Sequence, residues 1–226
     1  MNFVLNEIEV NTPGTTTERC EYVEILGTAG TQLPANTFFL SVDGDPGQFG
    51  VVSYIADVSN VTFGANGTIT IINTQGLNCP GRVYPGTTTL VFTNSIAMGF
   101  GAETFILVNS TDPGNMFEGN DLDLDDDGIF DANFGITPLD GIGWTPNPDD
   151  ASFVVYGGVP NLGGAPIAQG DVPQAASRFT GNPNPLSRPA WYYGHLAGAE
   201  NSVTYQATGS FPAGAVLTPG VAPNSH

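Results

Sequence analysis

CEYVEIL, Cys20 to Leu26, is the stretch from which the fold is read. Val23 and Ile25 alternate with Tyr22 and Glu24. In an extended chain the apolar pair points to one face and the tyrosine and glutamate to the other, the period of a strand with one sheet face buried. A parallel sheet covered on both faces shows near-continuous apolar runs instead, so the alternation points to a sandwich. The same texture returns in FVLNEIEV, TFFLSV, VVSYIAD, TITIIN, TTLVFT, ETFILVN, SFVVY and SVTYQA, each bounded by Gly, Pro or Asn and each expected as a strand. No segment holds a capped helical period, and 30 Gly with 18 Pro would break most attempts at one. The expected fold is all-β and antiparallel, with two packed sheets.

A chain of 226 residues, 40% of them hydrophobic, can bury a sizeable core, so residues 1–226 are expected to form a single domain. Two stretches break the strand rhythm. Residues 113–150 carry a run of aspartates, and residues 157–189 are rich in Gly, Pro and Asn. Both are expected as long loop insertions, either functional or held down by something specific.

The formal net charge is -18, from 22 acidic residues against four arginines (Arg19, Arg82, Arg178 and Arg188) and no lysine. Such a surface repels a phosphate backbone and excludes nucleic acid as a natural partner. Cations, or partners that present them, are the expected company. No apolar run is long enough to insert into a membrane, and MNFVLNEIEV lacks the basic end and apolar core of a secretory signal, so any export signal is expected to have been removed or not included. An extracellular or cell-surface setting is nonetheless expected. Cys20 and Cys79 are the only cysteines, and an isolated pair in an acidic, lysine-free chain suits an oxidising compartment. A Cys20–Cys79 disulfide is preferred over two free thiols, and would add about 4 kcal/mol by loop closure. Sequons at Asn60, Asn66 and Asn109 permit glycans but decide nothing about origin.

DLDLDDDGIFD, Asp121 to Asp131, packs six aspartates into one window. Unneutralised, they repel one another. Asp123, Asp125, Asp127, Gly128 and Asp131 align as D-x-D-x-D-G-x-x-D, the first nine positions of an EF-hand-type loop. Alternate carboxylates in a tight turn converge on one centre, Gly128 allows the turn, and Ile129 at the seventh position can offer its carbonyl. Hard carboxylate oxygens suit Ca2+ rather than zinc or copper. Phe134 stands at the twelfth position where a bidentate Glu is usual, so further ligands are expected from Asp121, Glu118 or Asp140. Pro113, Gly114, Gly135 and Pro138 leave no room for flanking helices, which makes this a free-standing loop around a structural ion.

Other residues are weighed against plainer roles. Glu7, Glu9, Glu21 and Glu24 lie on two strands that could be neighbours and could form a carboxylate pair, but solvated glutamates at an edge explain them more simply. His195 has no nucleophile motif beside it, and a structural role is preferred. Trp144 and the Trp191, Tyr192, Tyr193 cluster could stack on a sugar, though aromatics closing the ends of a sandwich are commoner.

Taken in order, FVLNEIEVNTPG, CEYVEILGTAGTQL, ETFILVNSTDPG, NDLDLDDDGIFD, PLDGIGW, DVPQAASRFTG, AWYYGHLAG and LTPGVAPN resemble the bacterial-type lamin-tail domain, across almost the whole chain. The ordered series is more specific than either opening strand alone. The resemblance implies an immunoglobulin-like β-sandwich of secreted and surface proteins, with an acidic calcium loop between late strands that matches Asp123, Asp125, Asp127 and Asp131. It implies no single activity, since such domains accompany nucleases, phosphatases and adhesins or stand alone. Departures from the wider family are expected as well: no catalytic domain within residues 1–226, and no basic surface of the kind that links nuclear lamin tails to DNA. The expected function is a secreted, calcium-binding, non-enzymatic structural or adhesive module of a cell surface, extracellular matrix or filament, associating with itself or with other surface proteins. A calcium-dependent hydrolase and a carbohydrate-binding module are the rivals.

Overall fold

The computed structural model describes residues 3–10, 20–74, 85–92, 98–99, 101–179, 182, 184–198 and 205–220. Twelve strands are described: β1 (Val4–Glu9), β2 (Glu21–Leu26), β3 (Thr37–Asp43), β4 (Val52–Asp57), β5 (Thr68–Asn73), β6 (Thr88–Phe92), β7 (Glu103–Ser110), β8 (Ile136–Trp144), β9 (Ala175–Arg178), β10 (Trp191–Gly194), β11 (Leu196–Ala197) and β12 (Gln206–Ala207). A six-stranded sheet in the order β10-β9-β1-β2-β5-β6 faces a four-stranded sheet in the order β4-β3-β7-β8, and β11 with β12 forms a small ribbon. The fold is an all-β sandwich. Its inner core joins Ile8, Val23, Ile25, Ile69 and Ile71 of the first sheet to Phe39, Tyr54, Phe105, Leu107 and Trp144 of the second.

Pairing is antiparallel except between β5 and β6, which run parallel from Ile69↔Thr88 to Asn73↔Phe92. A second departure concerns the outer faces. Tyr22 and Glu24, expected to face solvent, are 1% and 0% exposed. Residues 205–217 lie over that face and build a cluster of Tyr22, Ile72, Ala175, Tyr205, Phe211 and Leu217. The outer face of the other sheet is covered as well, where Leu40, Val42, Ile106 and Val108 meet Met116, Leu122, Phe134 and Tyr156. The central strands of both sheets are therefore buried on both sides, so the runs FFL in β3 and FILV in β7 do not alternate.

The two expected loop insertions contain strands. β8, within 113–150, pairs with β7 along its length, and β9, within 157–189, joins β1 to β10. Gly141 and Gly143 blur the strand pattern of β8, but the chain crosses them closely: a Cβ at Gly141 would lie 2.8 Å from Val159 Cγ1, and one at Gly143 2.6 Å from Val155 Cγ1. That crossing segment is SFVVY and its continuation. SFVVY was expected as a strand; instead its backbone makes single bonds, from Val154 N–H to Gly44 O (3.0 Å) and from Tyr156 N–H to Thr104 Oγ1 (3.0 Å). Only Gln206–Ala207 of SVTYQA is described as strand. Cys20 is buried, while Cys79, and with it the expected disulfide, lies outside the described residues, as do Arg19 and Arg82.

Candidate metal centre

The aspartate loop is tied to the edge of β4 before it turns. Val51 bridges Asp121, the Val52 N–H donates to Asn120 O (2.8 Å), and the Leu122 N–H donates to Gly50 O (3.0 Å). Gly50 has a positive φ of 74° and no room for a side chain, since a Cβ there would meet Asp123 Cβ at 2.6 Å and Asp121 Oδ1 at 2.9 Å. The Asp131 N–H closes the loop on Leu122 O (2.8 Å). Leu122 and Asp123 are both fully buried.

Asp123 organises the turn. Its Oδ1 accepts from the Asp127 N–H (3.0 Å), and its Oδ2 accepts from the Gly128 N–H (2.9 Å) and the Tyr156 hydroxyl (2.9 Å). Asp126 and Gly128 take the left-handed conformation, at φ 56° and 84°, which folds alternate side chains inward. Carboxylate oxygens of Asp123, Asp125 and Asp127 all lie within 4.8 Å of one another. Calcium–oxygen bonds of about 2.3–2.6 Å put opposed ligands up to about 5 Å apart, so the three fit one ion. The negative charge of Asp127 beside it, with slight desolvation and the charges of Asp131 and Asp123, holds the exposed Asp125 carboxyl above its ordinary value.

The other expected ligands are distributed differently. Asp131 Oδ2 accepts from the Leu124 N–H (2.8 Å), and Asp121 Oδ1 from the Asp123 N–H (2.9 Å), so both shape the turn. The Ile129 side chain is 66% exposed, and its N–H is held by Asp127 Oδ1 (2.9 Å). Asp140 does not belong to this site: it pairs with Arg178 inside the sandwich, 2.5 Å from Nη2. Glu118 is exposed and adds its charge near the Tyr54 hydroxyl instead. Tyr156 and Gly50, which position Asp123, carry no signal in the aspartate motif because they are distant in sequence.

The glutamates expected at a solvated edge are buried: Glu7 1%, Glu9 2%, Glu21 0% and Glu24 0% exposed. Glu7 and Glu24 are direct cross-strand partners. Burial pushes the Glu7 carboxyl up to about 7 and Glu24 well above its usual range, the latter raised further by Glu7. Trp144, Trp191 and Tyr193 are also buried, so they form no exposed stacking platform. His195 Nε2 lies 3.4 Å from Asp171 Oδ2 at the surface.

A further buried acid, Glu103, sits against Gly99, where a Cβ would meet its carboxylate. Ser41 Oγ is 2.6 Å from Glu103 Oε1 and also contacts Met98 O, while Ser53 Oγ contacts the same carboxylate oxygen. One hydroxyl proton on Ser41 cannot serve two acceptors, and a proton on Glu103 resolves the conflict. Burial, opposed by the two serines and reinforced by Asp43 and Asp45, raises this carboxyl to about 8. Because the folded value exceeds the ordinary 4.5, the folded state keeps a proton that the unfolded chain releases; stability that is full below pH 4.5 is lost as pH rises through about 8. Glu103→Gln should flatten the fall in melting temperature between those limits. Matching pH profiles for variant and wild type, followed by circular dichroism, would remove Glu103 as a source of that dependence.

No known protein family, curated protein or solved structure matches the chain. The fold and the loop together define it as an all-β sandwich bearing an acidic turn able to hold a metal ion.

Proposed function

We propose that this chain is a secreted calcium-binding module of lamin-tail type, structural or adhesive and without catalytic activity, serving a cell surface, an extracellular matrix or a filament. The observation that carries this reading is the convergence of Asp123, Asp125 and Asp127 on a turn whose first aspartate is bonded to buried Tyr156. An ion there stiffens the cover of the four-stranded sheet, a structural use of calcium. The immunoglobulin-like type and the lamin-tail kinship rest on the ordered motifs of the sequence, and secretion rests on its cysteines and acidity. A pocket of about 260 Å³ beside the loop is lined by Gly128, Ile129, Phe130, Ile136, Pro138 and Val155 among others.

Self-association is supported by the sheet edges. β4 is bonded by Gly119 and Asn120, β10 by Ser210, and one end of β8 by Pro160 and Leu162. β6 is the edge of the larger sheet, where the Thr74 N–H, just past β5, donates to Phe92 O (2.9 Å) and Val91 is 56% exposed. An exposed strand at a sheet edge can pair with other strands. Chains of charge -18 repel, so calcium and salt should promote association, and Val91→Asp should weaken it. Light scattering across calcium and salt concentrations tests this. A protein that stays monomeric with calcium saturated, at high concentration and high salt, is a soluble binding module instead.

A further inference from the structure

Across the larger sheet, the register aligns Ser177, Glu7, Glu24 and Thr70 on four successive strands, β9, β1, β2 and β5. Directly opposed residues share a face, so this is one polar row, and like charges opposite each other are unfavourable even at a surface. Here the row is sealed. The Thr218 N–H donates to Glu7 Oε1 (2.8 Å) and the Gly220 N–H to Glu24 Oε2, bringing the segment 205–220 down over both carboxylates.

Among the described residues, the donors that reach the row do not use its acceptors up. Glu7 receives Tyr22, Thr218 and Ser177, and Glu24 receives Asn6 Nδ2 (2.5 Å) and Gly220, whereas two carboxylates offer about eight acceptor positions. Among the described residues two buried oxygens find no hydrogen-bond partner: Thr70 Oγ1 in the row, on a residue 0% exposed, and Asn6 Oδ1 beside it, on a residue 1% exposed. Turning the Asn6 amide over does not help, since its oxygen would then face Glu24 Oε1 at 2.5 Å, acceptor against acceptor unless Glu24 is protonated. Glu9 and Tyr22 also act on this face, and the cover from Tyr205 to Gly220 contains no charged residue. Arg178, the one buried arginine among the described residues, is committed to Asp140. Acceptor oxygens in this row therefore outnumber the donors found for them among the described residues, and none of those donors is a cationic side chain.

We propose that this row is a second, buried cation site, taking a divalent ion of calcium type on Glu7, Glu24, Asn6 Oδ1 and Thr70 Oγ1, beneath the segment 205–220. An ion of charge two neutralises the paired glutamates and supplies the partner both orphaned oxygens want. The site is separate from the aspartate loop, which lies over the other sheet, and does not depend on it.

Calcium alone is the probe, with bound metal counted per chain after EDTA treatment and reloading, and affinity taken from calorimetry. Wild type is expected to hold two ions and Asp125→Asn/Asp127→Asn one. Glu24→Gln should keep only the loop ion, and Thr70→Val, nearly isosteric and chosen to preserve the fold, should weaken the second site at least tenfold. A single ion in wild type that disappears in Asp125→Asn/Asp127→Asn overturns the proposal, as does unchanged calcium binding in Thr70→Val, which would mean that water or a proton fills the row. A wild type that binds no calcium overturns both sites. One ion kept in Asp125→Asn/Asp127→Asn and lost in Glu24→Gln supports the buried site whatever the loop does.

Discussion

Asp140→Ala should destabilise the protein by about 3–5 kcal/mol, the cost of leaving one partner of a buried ion pair uncompensated. Asp140 is 0% exposed and holds three elements together: Oδ2 accepts from Arg178 Nη2 (2.5 Å) and the Leu5 N–H (2.8 Å), and Oδ1 from the Leu186 N–H (2.9 Å). Arg178 in turn donates through Nε to Leu5 O (2.7 Å) and through Nη1 to Asn184 O (2.8 Å), and its guanidinium lies 4.4 Å from the Trp191 ring centroid. Burial draws the Asp140 carboxyl up and the Arg178 guanidinium down, and their mutual attraction opposes both. Alanine at 140 would strand a guanidinium and two backbone N–H groups at the meeting point of β1, β8 and β9. Asp140→Leu combined with Arg178→Met should recover much of the loss, because an apolar pair has no charge to desolvate. Urea unfolding of the three proteins separates the terms. A single variant within about 1 kcal/mol of wild type would show that water reaches the pair.

The strands with clean boundaries were legible because their apolar content is concentrated: FVLNEIEV, CEYVEIL, TITIIN and ETFILVN all lie where expected. What the alternation in CEYVEIL could not disclose is that its polar face is covered. Glutamate and tyrosine read as solvent-facing, and only the arrival of Thr218 and Gly220, 211 and 196 residues from the glutamates they bond, makes them interior. β8 was hidden for the opposite reason. Its Pro138, Gly141 and Gly143 read as loop, yet Pro138 falls at a bulge and the glycines are thinned to let Val155 and Val159 cross. SFVVY has strand composition but serves as that crossing cover, so composition described its burial and not its pairing. In the aspartate loop the spacing of Asp123, Asp125, Asp127 and Gly128 carried the convergence correctly, since a tight turn is a local matter. Asp140, nine residues beyond Asp131, was drawn away by Arg178, a tertiary partner no local pattern reveals.

Removing calcium with EDTA should lower the melting temperature, and saturating calcium should raise it. The loop's share is about 4 kcal/mol when free calcium exceeds the dissociation constant a thousandfold. The sign follows from the geometry: folding brings Asp123, Asp125 and Asp127 within 4.8 Å of one another, a repulsion the unfolded chain does not suffer and an ion turns into attraction. The loss should begin locally. Leu122 and Tyr156 belong to the outer cluster over the four-stranded sheet, and Phe130 stacks on Tyr156 at 5.0 Å, so a loosened loop withdraws the cover before the inner core opens. Hydrogen exchange in EDTA should therefore quicken first at the amides of Leu122, Asp127 and Gly128, which are bonded to Gly50 O and to the Asp123 carboxylate. Asp125→Asn/Asp127→Asn should abolish that local response while relieving part of the repulsion, leaving a protein more stable in EDTA than wild type is. Equal melting temperatures for wild type in excess calcium and in EDTA, with exchange unchanged at those three amides, would mean that the loop is an acidic turn held by Tyr156 and its own backbone bonds alone.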